Sequence, residues 1–290
     1  MRRQGTTAAS LLLAGLVAAT LSTPASGGEQ GSVPRLVFPL VAKTELWDNY
    51  GDPRQNGRHA GIDMENPWRA PVVAVEDGRV EYSDSNLGGC MLYLYGRSGT
   101  MYLYIHLNND LTPRNDNRGG CVEDVAFAVP DRAKVTAGQQ VGWNGDSGDA
   151  SGNPHLHFEV HPSGGVDVNP FRHLKRASKA LFSARRGAVF SLGLRGNVLA
   201  AGGGTATLDV DEVRLYPGGR WLEIDKRPVE LTVPLDIETS PALGQFEGAA
   251  MRTLKSPLPV TAFTLKANAT REAIVGAPGE LILGRVAAAS

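Results

Sequence analysis

Asn153-Pro154-His155-Leu156-His157-Phe158-Glu159-Val160 sets two histidines at i and i+2 in a run that reads as a β-strand. Alternate side chains of a strand point to opposite faces. Both imidazoles therefore share one face, while Leu156 and Phe158 take the other. One face can hold a metal ion while the other enters a core. Two further clusters carry side chains that can complete such a site. One is His59-Ala60-Gly61-Ile62-Asp63; the other is His106, within Tyr102-Leu103-Tyr104-Ile105-His106-Leu107. The rest of the chain then reads as the scaffold that brings these three stretches together.

The chain has 290 residues, room for one large domain or two ordinary ones. A hydrophobic content of 42% supplies a real core, and 20% charged residues argue against disorder. A formal net charge of -1 leaves no electrostatic footprint for nucleic acid. The 35 glycines and 18 prolines suit a turn-rich β protein.

The N-terminus reads as an export signal. Arg2 and Arg3 precede an apolar run from Ala8 to Leu21, and Thr23-Pro24-Ala25-Ser26-Gly27 offers small residues for cleavage. The run is short of the ~20 apolar residues of a membrane span, so residues 1–27 are expected to leave, with no stable membrane insertion afterwards. An uncleaved anchor is the alternative. The expected location is secreted, periplasmic or cell-envelope. Little chain separates this signal from the first chemistry-bearing block, so a long inhibitory N-terminal segment is not expected. In an oxidising space Cys90 and Cys121 can pair in only one way, a bridge worth about 2–4 kcal/mol. Two buried thiols are the simpler alternative. No CxxC is present, which removes redox and zinc-cysteine readings.

Val33 to Lys43 is expected to be a leading strand. Pro71–Val75 and Arg79–Tyr82, joined by Glu76-Asp77-Gly78, predict a hairpin. Met91–Tyr95 and Met101–Leu107 predict another around Gly96-Arg97-Ser98-Gly99. Residues 108–131 are polar and turn-rich, a length of loop that usually serves a function. Asn169-Pro170 reads as a helix start, and Phe171, Leu174, Ala177 and Leu181 fall at helical spacing, predicting a linker helix over 171–186. Its basic residues read as a solvated face. From 187 to 290 short β-type runs recur, among them Ala188–Leu194, Ala206–Tyr216, Trp221–Ile224, Val229–Ile237, Val260–Leu265 and Leu281–Val286. They carry no histidine, no cysteine and no chemical motif. They predict a second small all-β domain of unknown function.

Catalytic zinc usually takes three protein ligands from His, Asp and Glu and leaves a fourth position to water. His59 and Asp63, separated by a turn, can place two ligands on one ion, and His157 can supply the third. His106 and His155 are then free to move a proton or to donate to a developing oxyanion. Each fragment alone is weak: an isolated His-x-His on a strand is more often structural. Glu159 and His161 share the parity of His157. Glu159 is either an orienting partner or one half of a surface ion pair, the simpler reading. His161 and His173 read as structural or surface residues. The helical His-Glu-x-x-His signature of other metalloproteases is absent.

From Phe38 to about Phe171 the sequence resembles the lysostaphin-type (LytM) zinc metallopeptidases. The matching blocks are Asn49-Tyr50-Gly51-Asp52-Pro53-Arg54, Gly57-Arg58-His59-Ala60-Gly61-Ile62-Asp63, Pro71-Val72-Val73-Ala74-Val75-Glu76-Asp77-Gly78-Arg79-Val80 and Tyr104-Ile105-His106-Leu107. Val135-Thr136-Ala137-Gly138-Gln139-Gln140-Val141-Gly142 follows, through to His155-Leu156-His157-Phe158-Glu159-Val160. Their order and spacing are the specific signal. The resemblance implies a mainly β protein: an antiparallel β-sheet metallopeptidase domain over 28–170 with loops walling a groove, ahead of the linker helix and the second domain. It implies His59, Asp63 and His157 as ligands to one Zn2+ per chain, with His106 and His155 as catalytic residues. It implies an exported endopeptidase that cuts peptide bonds of cell-wall peptidoglycan with a zinc-activated water. The second domain is then a candidate for wall attachment, for docking a protein partner or for occluding the groove. Two alternatives stand: an inactive relative that binds the wall or a partner hydrolase as a regulator, and a zinc protease acting on proteins. Trp68-Arg69-Ala70 stands where the family often has a Gly-Thr pair, and the segment between His106 and Val135 is long. Both departures bear on specificity, and neither removes a ligand.

Overall fold

The computed structural model describes residues 33–55, 57–183, 189–216, 219–232, 237–239, 250–264 and 267–268. The expected signal, residues 184–186 of the linker, the Pro217-Gly218 turn and the run Leu281–Val286 lie outside the described residues.

Period-two alternation builds the first sheet. Its strands are β3 (Ile62–Glu65), β5 (Gly78–Ser85), β6 (Gly89–Gly96), β7 (Met101–Leu107), β8 (Lys134–Val135) and β10 (His155–His161). They run in the order β3-β10-β7-β6-β5-β8, each pair antiparallel. Short ribbons flank it: β1 (Pro53–Arg54) with β2 (Gly57–Arg58), and β4 (Pro71–Val73) with β9 (Gln140–Trp143). On one face Ile62, Met64, Leu92, Leu94, Tyr102, Tyr104, Leu156, Phe158 and Val160 are fully buried. Leu36, Phe38, Leu40, Phe127, Val141 and Leu174 close over them. Burying side chains of this size stabilises by roughly 1.5–3 kcal/mol each. The opposite face carries Asp63, His155, His157 and Glu159.

Three expectations need correction. The Glu76-Asp77-Gly78 hairpin does not form: β4 pairs with β9, while β5 pairs with β6 and β8. Asp77 Oδ1 accepts from the Ala137 amide and Glu76 from the Ser98 amide and hydroxyl, so this turn carries the chain between layers instead of reversing it. Val33–Lys43 is an extended strap joined by single bridges, Val37 to Ser178 and Leu40 to Val72. The linker helix is short, α1 (Phe171–Lys175). Asn169 Oδ1 does accept from the Phe171 amide at 2.8 Å, as a cap should. The helix ends because Ser178 exchanges backbone bonds with the strap, its amide to Leu36 and its carbonyl to Phe38.

The second sheet holds β11 (Val189–Gly202), β12 (Thr205–Tyr216), β13 (Leu222–Thr232), β14 (Ile237–Thr239) and β15 (Arg252–Thr264), in the order β13-β12-β11-β15-β14, with β16 (Ala267–Asn268) on β11. Gly203 and Gly204, at φ 59° and 82°, close the long β11–β12 hairpin with the positive-φ pair that suits strand twist. Leu222–Ile224 and Val229–Thr232, parts of two separately expected runs, belong to the single strand β13, while Ile237 opens β14. Leu181 and Phe182 pack into this sheet's core with Leu192, Leu208, Val210 and Val229.

Candidate metal centre

Register puts the first three site residues together. His157 of β10 lies directly opposite Asp63 of β3, and such pairs bring side chains on one face within reach. His59 arrives from the end of β2. Its Nε2 lies 2.9 Å from Asp63 Oδ1 and 2.9 Å from His157 Nδ1, and His157 Nδ1 is 2.8 Å from Asp63 Oδ1. One donor atom from each of the three lies within 4.8 Å of the others.

The remaining ring nitrogens are tied back. His59 Nδ1 donates to the Asn49 carbonyl at 2.7 Å and His157 Nε2 donates to Glu159 Oε1 at 2.9 Å. A nitrogen facing a carbonyl must carry the proton, which leaves the other lone pair for a cation. Asn49 grips from both ends, since its Oδ1 accepts from the Asp63 amide. Arg54 reaches Asp63 Oδ2 at 2.5 Å and leaves Oδ1 to the histidines. Gly61 permits the crowding: a Cβ there would lie 2.5 Å from the Phe158 carbonyl oxygen and 2.8 Å from His157 Nε2.

His106 and His155 stand beside this cluster. Strand parity would send His106 into the core with Tyr102 and Tyr104. Instead its backbone takes φ 64° opposite a register shift between Cys90 and Leu92, and the ring turns to the site face. Its ring centroid is 4.8 Å from that of His155 and 6.2 Å from that of His157. His106 Nδ1 donates to the Ser147 carbonyl and His155 Nδ1 to the Asn153 carbonyl, at 2.9 and 2.8 Å. His155 Nε2 then lies 3.8 Å from Asp63 Oδ1.

Burial and pairing set the charges. Burial pushes the Asp63 carboxyl up, but hydrogen bonds from His157 and His59 overcome it and hold it far below the carboxylate range. Burial lowers His157, yet Asp63 and Glu159 raise it to about 9. Burial opposes ionisation of Glu159 too, and His157 with His161 brings it down to about 2. His106, buried beside His155 and His157, falls to about 4 and is neutral at neutral pH.

All five residues singled out in the sequence meet at this face; His173 does not. His161 joins from behind, its Nε2 2.7 Å from Glu159 Oε2. Glu159 therefore bonds His157 and His161, and is not a surface ion pair. Asn49, Arg54 and Ser147 were not assigned roles by sequence reasoning. Only the tertiary register aims them here.

No protein-family model matches the chain. A metalloprotease of Haemophilus influenzae, not further characterised, is 30% identical over 158 residues, which is 51% of this chain and 29% of that protein. The chain resembles the lysostaphin-type metallopeptidases. The catalytic domain of lysostaphin from Staphylococcus simulans aligns at 26% identity over 46% of this chain and 92% of that one, with a TM-score of 0.36. A zinc-containing peptidase from Vibrio cholerae aligns at 24% over 50% of this chain and 41% of that one, also at 0.36. The chain thus spans less than a third of the length of its curated relative.

Proposed function

We propose that the chain is an exported zinc metalloendopeptidase that hydrolyses peptide bonds in peptidoglycan. One observation carries the reading: His59 Nε2, Asp63 Oδ1 and His157 Nδ1 converge while each imidazole's second nitrogen is already spent. Two neutral nitrogens and one carboxylate oxygen form a donor set suited to catalytic zinc. Zinc held there supplies Lewis-acid polarisation of a carbonyl and a more acidic water. The chain's own residues do the rest. His106 and His155 stand beside the ligands, each locked by a carbonyl at Nδ1 with Nε2 left over, 3.8 Å from Asp149 Oδ1 for His106 and 3.8 Å from Asp63 Oδ1 for His155. A neutral Nε2 accepts a proton from an attacking water, and a protonated one donates to the amide oxygen as charge develops. His106, neutral at neutral pH, fits the accepting role. Arg54 and Asn49 orient Asp63, and Glu159 orients His157. The peptidoglycan substrate rests on the sequence resemblance over Phe38–Phe171.

The experiment is digestion of purified cell-wall sacculi of defined cross-link chemistry, with mass spectrometry of the released fragments. Wild type is expected to release peptide fragments from at least one sacculus type. His155→Ala is expected to keep its zinc and lose at least ~99% of that rate, the usual scale of a general acid–base contribution. A variant as fast as wild type removes His155 from the mechanism. Bound zinc without fragments from any sacculus moves the reading to a binding regulator or to a protease of other substrates.

A further inference from the structure

One cavity lies away from the histidines. It encloses about 560 Å³ between the first sheet's loops and the second sheet, and none of the five site residues lines it. Trp143 lines it from the β4–β9 ribbon that flanks the first sheet, and Phe182 and Leu222 line it from the second sheet's side. A space of this size is typical of sites for small organic ligands.

Its charged groups carry a small positive excess. Arg69 enters from the first sheet's side on a left-handed backbone, φ 61°, that a side chain of its kind rarely adopts. Its guanidinium lies over the Trp68 ring at 4.5 Å and donates Nη2 to the carbonyls of Asp110 and Thr112. Its Nε is buried with no hydrogen-bond partner. Arg220 enters from the second sheet's side. Its surface is exposed, and both arginines line this one space; partial burial and then the charge of Arg69 pull Arg220 below the usual arginine value. Arg214 lines the cavity as well. Two carboxylates also line it. Asp110 is saturated, its Oδ2 by Trp68 Nε1 and its Oδ1 by the amides of Asp116 and Asn117. Asp124 is exposed. Three arginines against two aspartates leave one net positive charge, which suits a single anionic group and disfavours a polyanion.

We propose that this cavity binds a small monocarboxylate with an apolar body. The carboxylate bridges Arg69 and Arg220, for which planar guanidinium groups are matched donors. The body lies against Trp143, Phe182 and Leu222. Because Arg69 lies in the loop between β3 and β4 and Arg220 just ahead of β13, the ligand ties the second sheet's loops to those around the first. Such a carboxylate can come from the C-terminal residue of a peptide or from a free aliphatic acid. The proposal stands apart from the zinc reading, since no metal ligand takes part.

The test is equilibrium binding to the full chain, followed by tryptophan fluorescence (Trp68 and Trp143 line the cavity) and checked by dialysis, with and without chelator. The probes are N-acetylleucine, N-acetylleucine amide, 4-methylpentanoate and inorganic phosphate. Both acids are expected to saturate at millimolar concentration or below, and the neutral amide to bind at least about tenfold more weakly. N-acetylleucine binding tighter than 4-methylpentanoate assigns a peptide terminus; the reverse order assigns a free acid. Arg220→Gln, and separately Arg69→Lys, are expected to weaken acid binding at least about tenfold with the ligand-free melting midpoint held in one of them. The proposal is overturned if the amide matches the acids, if phosphate binds as tightly, if neither acid saturates, or if both variants bind like wild type. Binding that survives chelation alongside a failed sacculus digestion would overturn only the hydrolase reading.

Discussion

His157 carries a proton where the metal would sit. With Nδ1 on Asp63 and Nε2 on Glu159, both of its nitrogens donate, which is why its value rises to about 9. Zinc must displace that proton from Nδ1, so apparent affinity should gain about tenfold per pH unit up to about 9. Equilibrium competition against a chelator across pH checks this; a flat profile counts against it. The same groups set the stability of the metal-free chain. A raised histidine contributes fully below its unfolded value of 6.5 and is lost as pH rises through about 9. A depressed Glu159 contributes above its unfolded 4.5 and is lost as pH falls through about 2. The melting midpoint in chelator should therefore be highest between those two unfolded values and decline on both sides. Gly61→Ala should cost about 1–3 kcal/mol and most of the zinc affinity, because the new methyl meets a backbone oxygen that cannot yield. Calorimetry and zinc content read both effects. At this scale the sequence was legible for His59, Asp63, His155 and His157, whose motif and parity suffice. It was not for the aim of His106, which depends on a positive φ, nor for Arg54, which reaches Asp63 only through the β1–β2 turn.

Elements were legible where a single sheet face was buried. The alternation in β6, β7 and β10 was enough to place their core faces. It failed where one segment served two layers: Glu76-Asp77-Gly78 has hairpin chemistry, yet its carboxylates are spent on Ser98 and Ala137. The helical spacing through Leu181 failed because the strap takes the backbone groups of Ser178, and Leu181 belongs to the other core. The Cys90–Cys121 bridge does form, at a sequence separation of 31. It anchors the loop after His106 to buried Cys90 on β6, whose amide also donates to Ser147, the residue that holds His106. Chain entropy for a loop of that size gives about 3–4 kcal/mol. Replacing both cysteines by serine should lower unfolding stability by that amount in a denaturant titration. A loss under about 1 kcal/mol would mean the loop is held by its other contacts.

Among the described residues the two sheets meet through backbone and side-chain polar ties and through Leu181 and Phe182, which enter the second core. The Lys43 amide donates to the Glu223 carbonyl at 2.7 Å, and Arg227 donates to the Lys179 carbonyl at 2.7 Å. The Lys43–Glu223 ion pair leaves both side chains more than half exposed, and exposed pairs are worth under about 1 kcal/mol. Phe182, 6% exposed, sits where the linker enters the second core. Phe182→Ala should therefore cost about 3 kcal/mol. Lys43→Ala should cost far less, because water screens an exposed pair. Calorimetry on both variants tests the order. The second sheet carries no chemical motif, so its part in the molecule was not legible in the sequence. Among the described residues no helix is long and apolar enough to cross a membrane. The central claim is that His59, Asp63 and His157 share one divalent ion. Metal analysis of purified protein after zinc-replete dialysis, beside His157→Ala, tests it most directly. The account predicts about one zinc per wild-type chain and almost none in the variant. Zinc near zero in wild type, or unchanged in the variant, would contradict it.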